Sequence, residues 1–210
     1  MSATAHVTAQ TTASPTAPAT GSATSPATPP SNRPALIVID LQNDYFPEGA
    51  FPLADTDAAL AAVLRAIAQA HQLQMPVVLV QHLADPSRGT APFFNEGTEG
   101  AALHPAVRAA APDAPVIVKR FADSFERTPL HETLQRLGVD ALVLCGMMTH
   151  NCVTHTALSR QADHYRSITV LKDACSTVSP LMNAIALNAL STRVTLAEVD
   201  HRSLQVARTG

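Results

Sequence analysis

Residues 35–40 read Ala-Leu-Ile-Val-Ile-Asp, and residues 141–152 read Ala-Leu-Val-Leu-Cys-Gly-Met-Met-Thr-His-Asn-Cys. Each opens with an unbroken apolar run rich in branched side chains, the pattern of a strand covered on both faces. Each run then leads to a residue that can do chemistry, Asp40 in the first and Cys152 in the second. Similar runs occupy Val77 to Gln81, Val116 to Val118, Ser167 to Leu171 and Val194 to Ala197. Between them lie helical segments. Asp57 to Leu73 carries Leu60, Val63, Leu64 and Ile67 at helical spacing, with Asp55 or Asp57 as N-cap. Pro129 to Leu137 has Thr128 as N-cap and Gly138 beyond its end, and His150 to Ala162 and Pro180 to Leu190 complete the set. This alternation predicts an α/β fold: a doubly wound, mostly parallel six-stranded sheet with helices on both faces and right-handed crossovers. Ligands of such sheets bind at the carboxyl ends of the strands near the switch point. The residues there are Asp40, His82, Lys119 and the stretch from Gly146 to Cys152.

At 210 residues the chain suits one domain. A net charge of -3 gives no reason to expect nucleic acid or an anionic membrane as partner. No run approaches the roughly 20 apolar residues a bilayer span needs. The 3 cysteines are odd in number and lack CxxC spacing, which fits a reducing compartment. With no basic and apolar leader at the start, cytoplasm is the expected location. Residues 1–34 are almost entirely Ala, Thr, Ser and Pro, with Arg33 the only Lys, Arg, Asp or Glu. Such a segment has almost nothing to bury against the entropy of ordering, so a disordered tail is expected, followed by a folded domain over 35–210. The lack of Arg before position 33 argues against a transit peptide.

Taken singly, Asp40 reads as a turn residue, Lys119 as a solvated charge and Cys152 as a small buried hydrophobe. The fold brings all three to one sheet edge, and there they make a coherent set. A free thiol with a pKa of about 8.5 is mostly protonated at neutral pH, and a cation or helix N-terminus lowers that value. Lys119 and the start of the helix after the fourth strand would supply both. Asp40, held ionised by Lys119, could take the thiol proton and pass it to a leaving amine. His150 and His155 flank the thiol and offer a rival Cys–His dyad. Cys145 and Cys175 read as structural thiols.

The segment Ala35-Leu-Ile-Val-Ile-Asp-Leu-Gln-Asn-Asp-Tyr-Phe46 resembles the opening of the isochorismatase-like cysteine hydrolases. So does Lys119-Arg-Phe-Ala-Asp-Ser-Phe125 followed by Thr128 and Leu130, and the 145–157 stretch is similar to the family's G-x-x-T-x-x-C-V nucleophile loop. The resemblance spans about Pro34 to Val199. It implies an Asp40–Lys119–Cys152 triad acting through a thioester, and disfavours the dyad. It further implies a cis peptide bond between Met147 and Met148, oxyanion stabilisation by the N–H groups of Met148 and Cys152, and a bracing hydroxyl at Thr149.

By the same resemblance Gln42 supports the site, and Phe46, His82 and Phe125 are candidates for the substrate pocket, each with an ordinary turn or core role as the alternative. Phe93 and Phe94 share that ambiguity. Nicotinamidases of this superfamily carry an Asp and two His after the second strand. Here the region reads Gln81-His82-Leu-Ala-Asp85, with no further His until His104. Two ligands, His82 and Asp85, are too few for a stable metal, so neither metal nor cofactor is expected. The implied activity is hydrolysis of a C–N bond in a small molecule, an amide, lactam or carbamoyl group. The Gly-Met-Met-Thr-His loop resembles bacterial members that include openers of streptothricin-type lactams. Vinyl ether hydrolysis, which needs no thiol, and a non-catalytic scaffold are the alternatives. The resemblance implies a homo-oligomer, dimer or tetramer.

Overall fold

In the computed structural model of the protein the described residues are 1–4, 33–200 and Leu204. The expected tail lies almost wholly outside them. The elements are β1 (Pro34–Ile39), α1 (Thr56–Gln72), β2 (Val77–His82), α2 (Pro105–Ala110), β3 (Val116–Lys119), α3 (Leu130–Arg136), β4 (Ala141–Met147), α4 (Thr154–Ala157), β5 (Ser167–Ser176), α5 (Pro180–Leu190) and β6 (Thr195–Ala197). The six strands lie in the order β3-β2-β1-β4-β5-β6, and every pairing is parallel. The order reverses between β1 and β4, so the switch point falls between the two segments that ended in Asp40 and Cys152.

Strand periodicity of two sorts the apolar runs onto two cores. Leu36 and Val38 of β1, Val77 and Leu79 of β2, and Val143 and Cys145 of β4 pack with α1 and α2 on one face. Ile37 and Ile39, Val78 and Val80, and Leu142 and Leu144 pack with α3, α4 and α5 on the other. Both faces of the central strands are therefore dry, as their unbroken apolar runs require.

Several expected elements are corrected. β3 is not covered on both faces: it is an edge strand whose Val116 and Val118 are 37% and 43% exposed, while Ile117 and Lys119 turn inward. β5, expected over Ser167 to Leu171, continues through Lys172 and Asp173 to Ser176. The register against β4 shifts between Leu144 and Gly146, and the bulged Asp173 accepts from the Val199 N–H at 2.9 Å. The single helix expected over residues 150–162 is instead a π-helical turn, Thr149–Val153, running into the four-residue α4. Thr154 Oγ1 donates to the Thr149 carbonyl at 2.6 Å, and side-chain bonds of this kind compete with a regular helix.

Pro129, not Thr128, occupies the cap of α3, although Thr128 Oγ1 accepts from the Leu130 N–H at 3.3 Å. Asp55 holds the cap position of α1 without a side-chain cap bond. Helix α2 was not anticipated. It is six residues long, and His104 caps it by accepting the Ala106 N–H through Nδ1 at 3.2 Å.

Candidate active site

β1 ends at Ile39, and Asp40 follows it in the left-handed region at φ 53. A non-glycine residue there costs about 1–3 kcal/mol, so its surroundings must hold it. Part of that hold is Gly146 on the neighbouring strand, at φ 123, where an added methyl group would strike the Ile39 backbone. Only glycine lets β4 approach β1 closely enough at this level. Gly146→Ala is therefore expected to destabilise the protein by about 3 kcal/mol or more, read from its urea midpoint.

Lys119 closes β3 and points inward. Its side chain and that of Asp40 are both 0% exposed, and Nζ lies 2.8 Å from Asp40 Oδ2. The same nitrogen lies 3.1 Å from Cys152 Sγ, 2.9 Å from His82 Nδ1 and 3.1 Å from the Phe121 carbonyl. The structure thus brings Asp40, Lys119 and Cys152 together and adds His82 as a fourth member. An ammonium only donates, so His82 Nδ1 accepts and its Nε2 carries the proton.

Candidate metal-ligand atoms of Asp40, His82 and Cys152 lie within 4.8 Å of one another. The Lys119 ammonium, within about 3 Å of all three, already supplies the positive charge there. A metal would have to displace it. The expected pairing of His82 with Asp85 is not what the fold makes, because Asp85 Oδ1 caps the next turn through Ser87 N–H and Oγ at 3.0 and 2.7 Å.

Burial sets the protonation states. It lowers the Lys119 pKa, but the fields of Asp40 and Cys152 outweigh it and the net shift is upward, so the ammonium persists. For Cys152, burial and then Asp40 push the thiol up to about 12, against the opposing pull of Lys119. The expectation that Lys119 and a helix N-terminus would lower this pKa is thus reversed. Desolvation outweighs the cation, and the short π turn that carries Cys152 offers little dipole. At rest the group is a thiol.

His82 is lowered from 6.5 to about 4, by burial first and then by Lys119. The unfolded chain therefore binds a proton here at a pH where the folded one does not. Stability should fall by about 2–3 kcal/mol as pH drops from 6.5 through 4. His82→Asn should flatten that part of the acid limb in urea titrations run across this range.

Gln42 is fully satisfied: its Nε2 donates to the His82 and Ala101 carbonyls at 2.8 and 2.7 Å, and its Oε1 accepts the His82 N–H at 2.7 Å. It pins the end of β2 to the end of β1 and so aims His82. Phe46 is buried against the His104 ring, with centroids 4.5 Å apart. Phe125 is core, packed toward Tyr165 on the α3 side of the sheet. Phe94 is buried against Tyr45 at 4.6 Å.

The Met147–Met148 peptide bond is cis. The Thr149 hydroxyl, expected to brace the loop, has no hydrogen-bond partner among the described residues, and the Thr154 hydroxyl braces the loop instead. His150 bonds Thr177 Oγ1 and His155 bonds the Asn151 carbonyl, so the imidazole beside the thiol is His82. Tyr45 was missed by sequence reasoning. Its hydroxyl pKa is raised by burial and then by Asp40 and Cys152, which places it in their field. Its position six residues after the end of β1 gave no periodic signal.

A buried ion pair against a thiol thus stands at the switch point of an all-parallel α/β sheet. The family model of the isochorismatase domain matches residues 34–199. The chain belongs to the isochorismatase family. It is 39% identical over 145 residues to the uncharacterized isochorismatase family protein YddQ of Bacillus subtilis, covering 69% of this chain and 78% of that one. It is 32% identical over 151 residues to maleamate amidohydrolase of Pseudomonas putida, covering 66% and 70%. The crystal structure of an isochorismatase from Pseudomonas putida superposes with a TM-score of 0.70 at 26% identity, covering 82% of this chain and 92% of that one. The family's hydrolases include amidohydrolases acting on C–N bonds. No helix among the described residues is long and apolar enough to cross a membrane.

Proposed function

We propose that the protein is a cysteine hydrolase that cleaves the C–N bond of a small amide, lactam or carbamoyl compound through a thioester on Cys152. The observation that carries this reading is the position of Lys119 Nζ, 2.8 Å from Asp40 Oδ2 and 3.1 Å from Cys152 Sγ in a dry site. Among the described residues Asp40 has no partner besides this ammonium and the thiol it faces, which suits a group that must accept and return a proton.

Because the resting group is a thiol, ionisation is coupled to attack. Asp40 takes the proton as Sγ bonds to the carbonyl carbon, and the oxyanion is met by the N–H groups of Met148 and Cys152. As the C–N bond breaks, the amine leaves with the proton from Asp40. Water then gives a proton to Asp40 and attacks the thioester. The C–S bond breaks, Cys152 recovers the proton, and the net change is addition of one water. Lys119 stays cationic and stabilises each anion in turn, while neutral His82 accepts one of its N–H bonds.

A panel of amides and carbamoyl compounds should release ammonia or amine, and mass spectrometry of the quenched protein should show an acyl adduct on the peptide containing Cys152. Pyruvate release from isochorismate with no amide turnover would favour vinyl ether hydrolysis instead. We also propose self-association through α5, whose Leu181 and Ile185 are 72% and 62% exposed. Light scattering behind a sizing column reads it.

A further inference from the structure

The thiol and the ammonium sit on separate stretches of chain. Lys119 opens the loop that runs from β3 to α3, and Cys152 lies in the π turn that leads into α4. Each stretch is shaped by bonds of its own. In the first, Lys119 Nζ donates to the Phe121 carbonyl at 3.1 Å, and Thr128 Oγ1 donates to the Ser124 carbonyl at 2.6 Å. In the second, Thr154 Oγ1 donates to the Thr149 carbonyl at 2.6 Å. Local bonds of this kind fix the form of each piece but not where one lies against the other.

That relation runs through Ser124 and Thr156, both 0% exposed. Thr156 Oγ1 accepts the Ser124 N–H at 3.0 Å and donates to Ser124 Oγ at 2.8 Å, so the two residues close a double clasp. Ser124 follows Lys119 in the loop, and Thr156 lies in α4, the short helix that Cys152 leads into. Among the described residues, the hydrogen bonds joining the two stretches are this clasp and the contact of Lys119 Nζ with Cys152 Sγ at 3.1 Å. Phe125, Val153 and Ala157 also pack in the shared core beside it. Apolar packing resists separation but is non-directional, whereas paired hydrogen bonds out of water demand one distance and one angle.

We propose that Ser124 and Thr156 are positioning residues for the reaction, their clasp holding the Cys152 turn where Sγ meets the Lys119 ammonium. The inference deepens the hydrolase reading above, and its turnover arm rests on that reading. A displacement of about 1 Å at a reacting atom can cost about 100-fold in rate. Withdrawal from the ammonium also leaves the thiolate less stabilised, so the sulfur ionises less readily.

Three variants grade the clasp. Thr156→Val keeps the side chain's shape and removes both bonds, Ser124→Ala keeps the bond from its own N–H, and Thr156→Ser keeps both. On an amide that the unaltered protein hydrolyses, Thr156→Val should lower kcat about 10- to 100-fold with KM little changed. Ser124→Ala should lose less, and Thr156→Ser should recover most of the rate. Timed labelling of the full-length protein with iodoacetamide, read by peptide mass spectrometry, needs no turnover. Thr156→Val should slow labelling of Cys152 severalfold, while the buried Cys145 and Cys175 label as in the parent. A merely structural role predicts the opposite, a loosened interior in which all three thiols label faster. Labelling of Cys152 that is unchanged or faster, or a Thr156→Ser protein no better than Thr156→Val, would overturn the assignment. Should Thr156→Val not fold, Ser124→Ala carries the same comparison at smaller amplitude. Slowed labelling of Cys152 in a protein whose parent hydrolyses no amide would sink the hydrolase reading and leave the clasp standing.

Discussion

Replacing Cys152 by alanine should lower amide turnover by about 10⁴-fold or more while the protein keeps its fold, because the variant removes the atom that bonds to substrate in the proposed mechanism. The side chain is buried, but alanine removes just one sulfur, and Asp40 and Lys119 remain paired at 2.8 Å. Cys152→Ser should fare little better. A serine hydroxyl is a much weaker acid than a thiol, and the site already pushes even the thiol up to about 12. Circular dichroism and urea midpoints verify the fold, and ammonia release verifies the loss. Hydrolysis retained in Cys152→Ala would exclude a covalent route and send the mechanism back to direct attack by water.

The second large effect concerns stability. Lys119→Met leaves the Asp40 carboxylate buried without its cation, a change that typically costs about 3–5 kcal/mol. The expected urea midpoint falls accordingly, and turnover is lost with it. Adding Asp40→Asn removes the stranded charge and should restore most of the lost stability without restoring activity. That divergence separates the two roles of the pair. Were Lys119→Met as stable as the parent, the ammonium could not be the group that balances Asp40 in the folded protein.

Much of the fold was legible because unbroken apolar runs such as Ala35 to Ile39 have one common use, a strand dry on both faces, and both cores bear this out. Pro180 to Leu190 was equally legible, since Ser179 accepts the Met182 N–H and Pro180 opens the helix. What failed were places where tertiary context outweighs local pattern. The bulge at Asp173, the π turn at Thr149–Val153 and the bare outer face of β3 depend on what lies beside each segment. Phe125 and Phe46 were ambiguous for the same reason, because an aromatic after a strand is apolar whether it faces core or cleft.

The sequence by itself determined which chemical groups stand at the strand ends, and hence that an acid, an amine and a thiol would share one edge of a parallel sheet. Order along the chain settles that, since parallel strands all present their carboxyl ends to the same side. Only the tertiary structure decided their protonation. Removal of water around Cys152 outweighs the neighbouring cation and keeps the thiol neutral, and the ammonium forces His82 into one tautomer. Both follow from burial and distance, which depend on residues far apart in the chain.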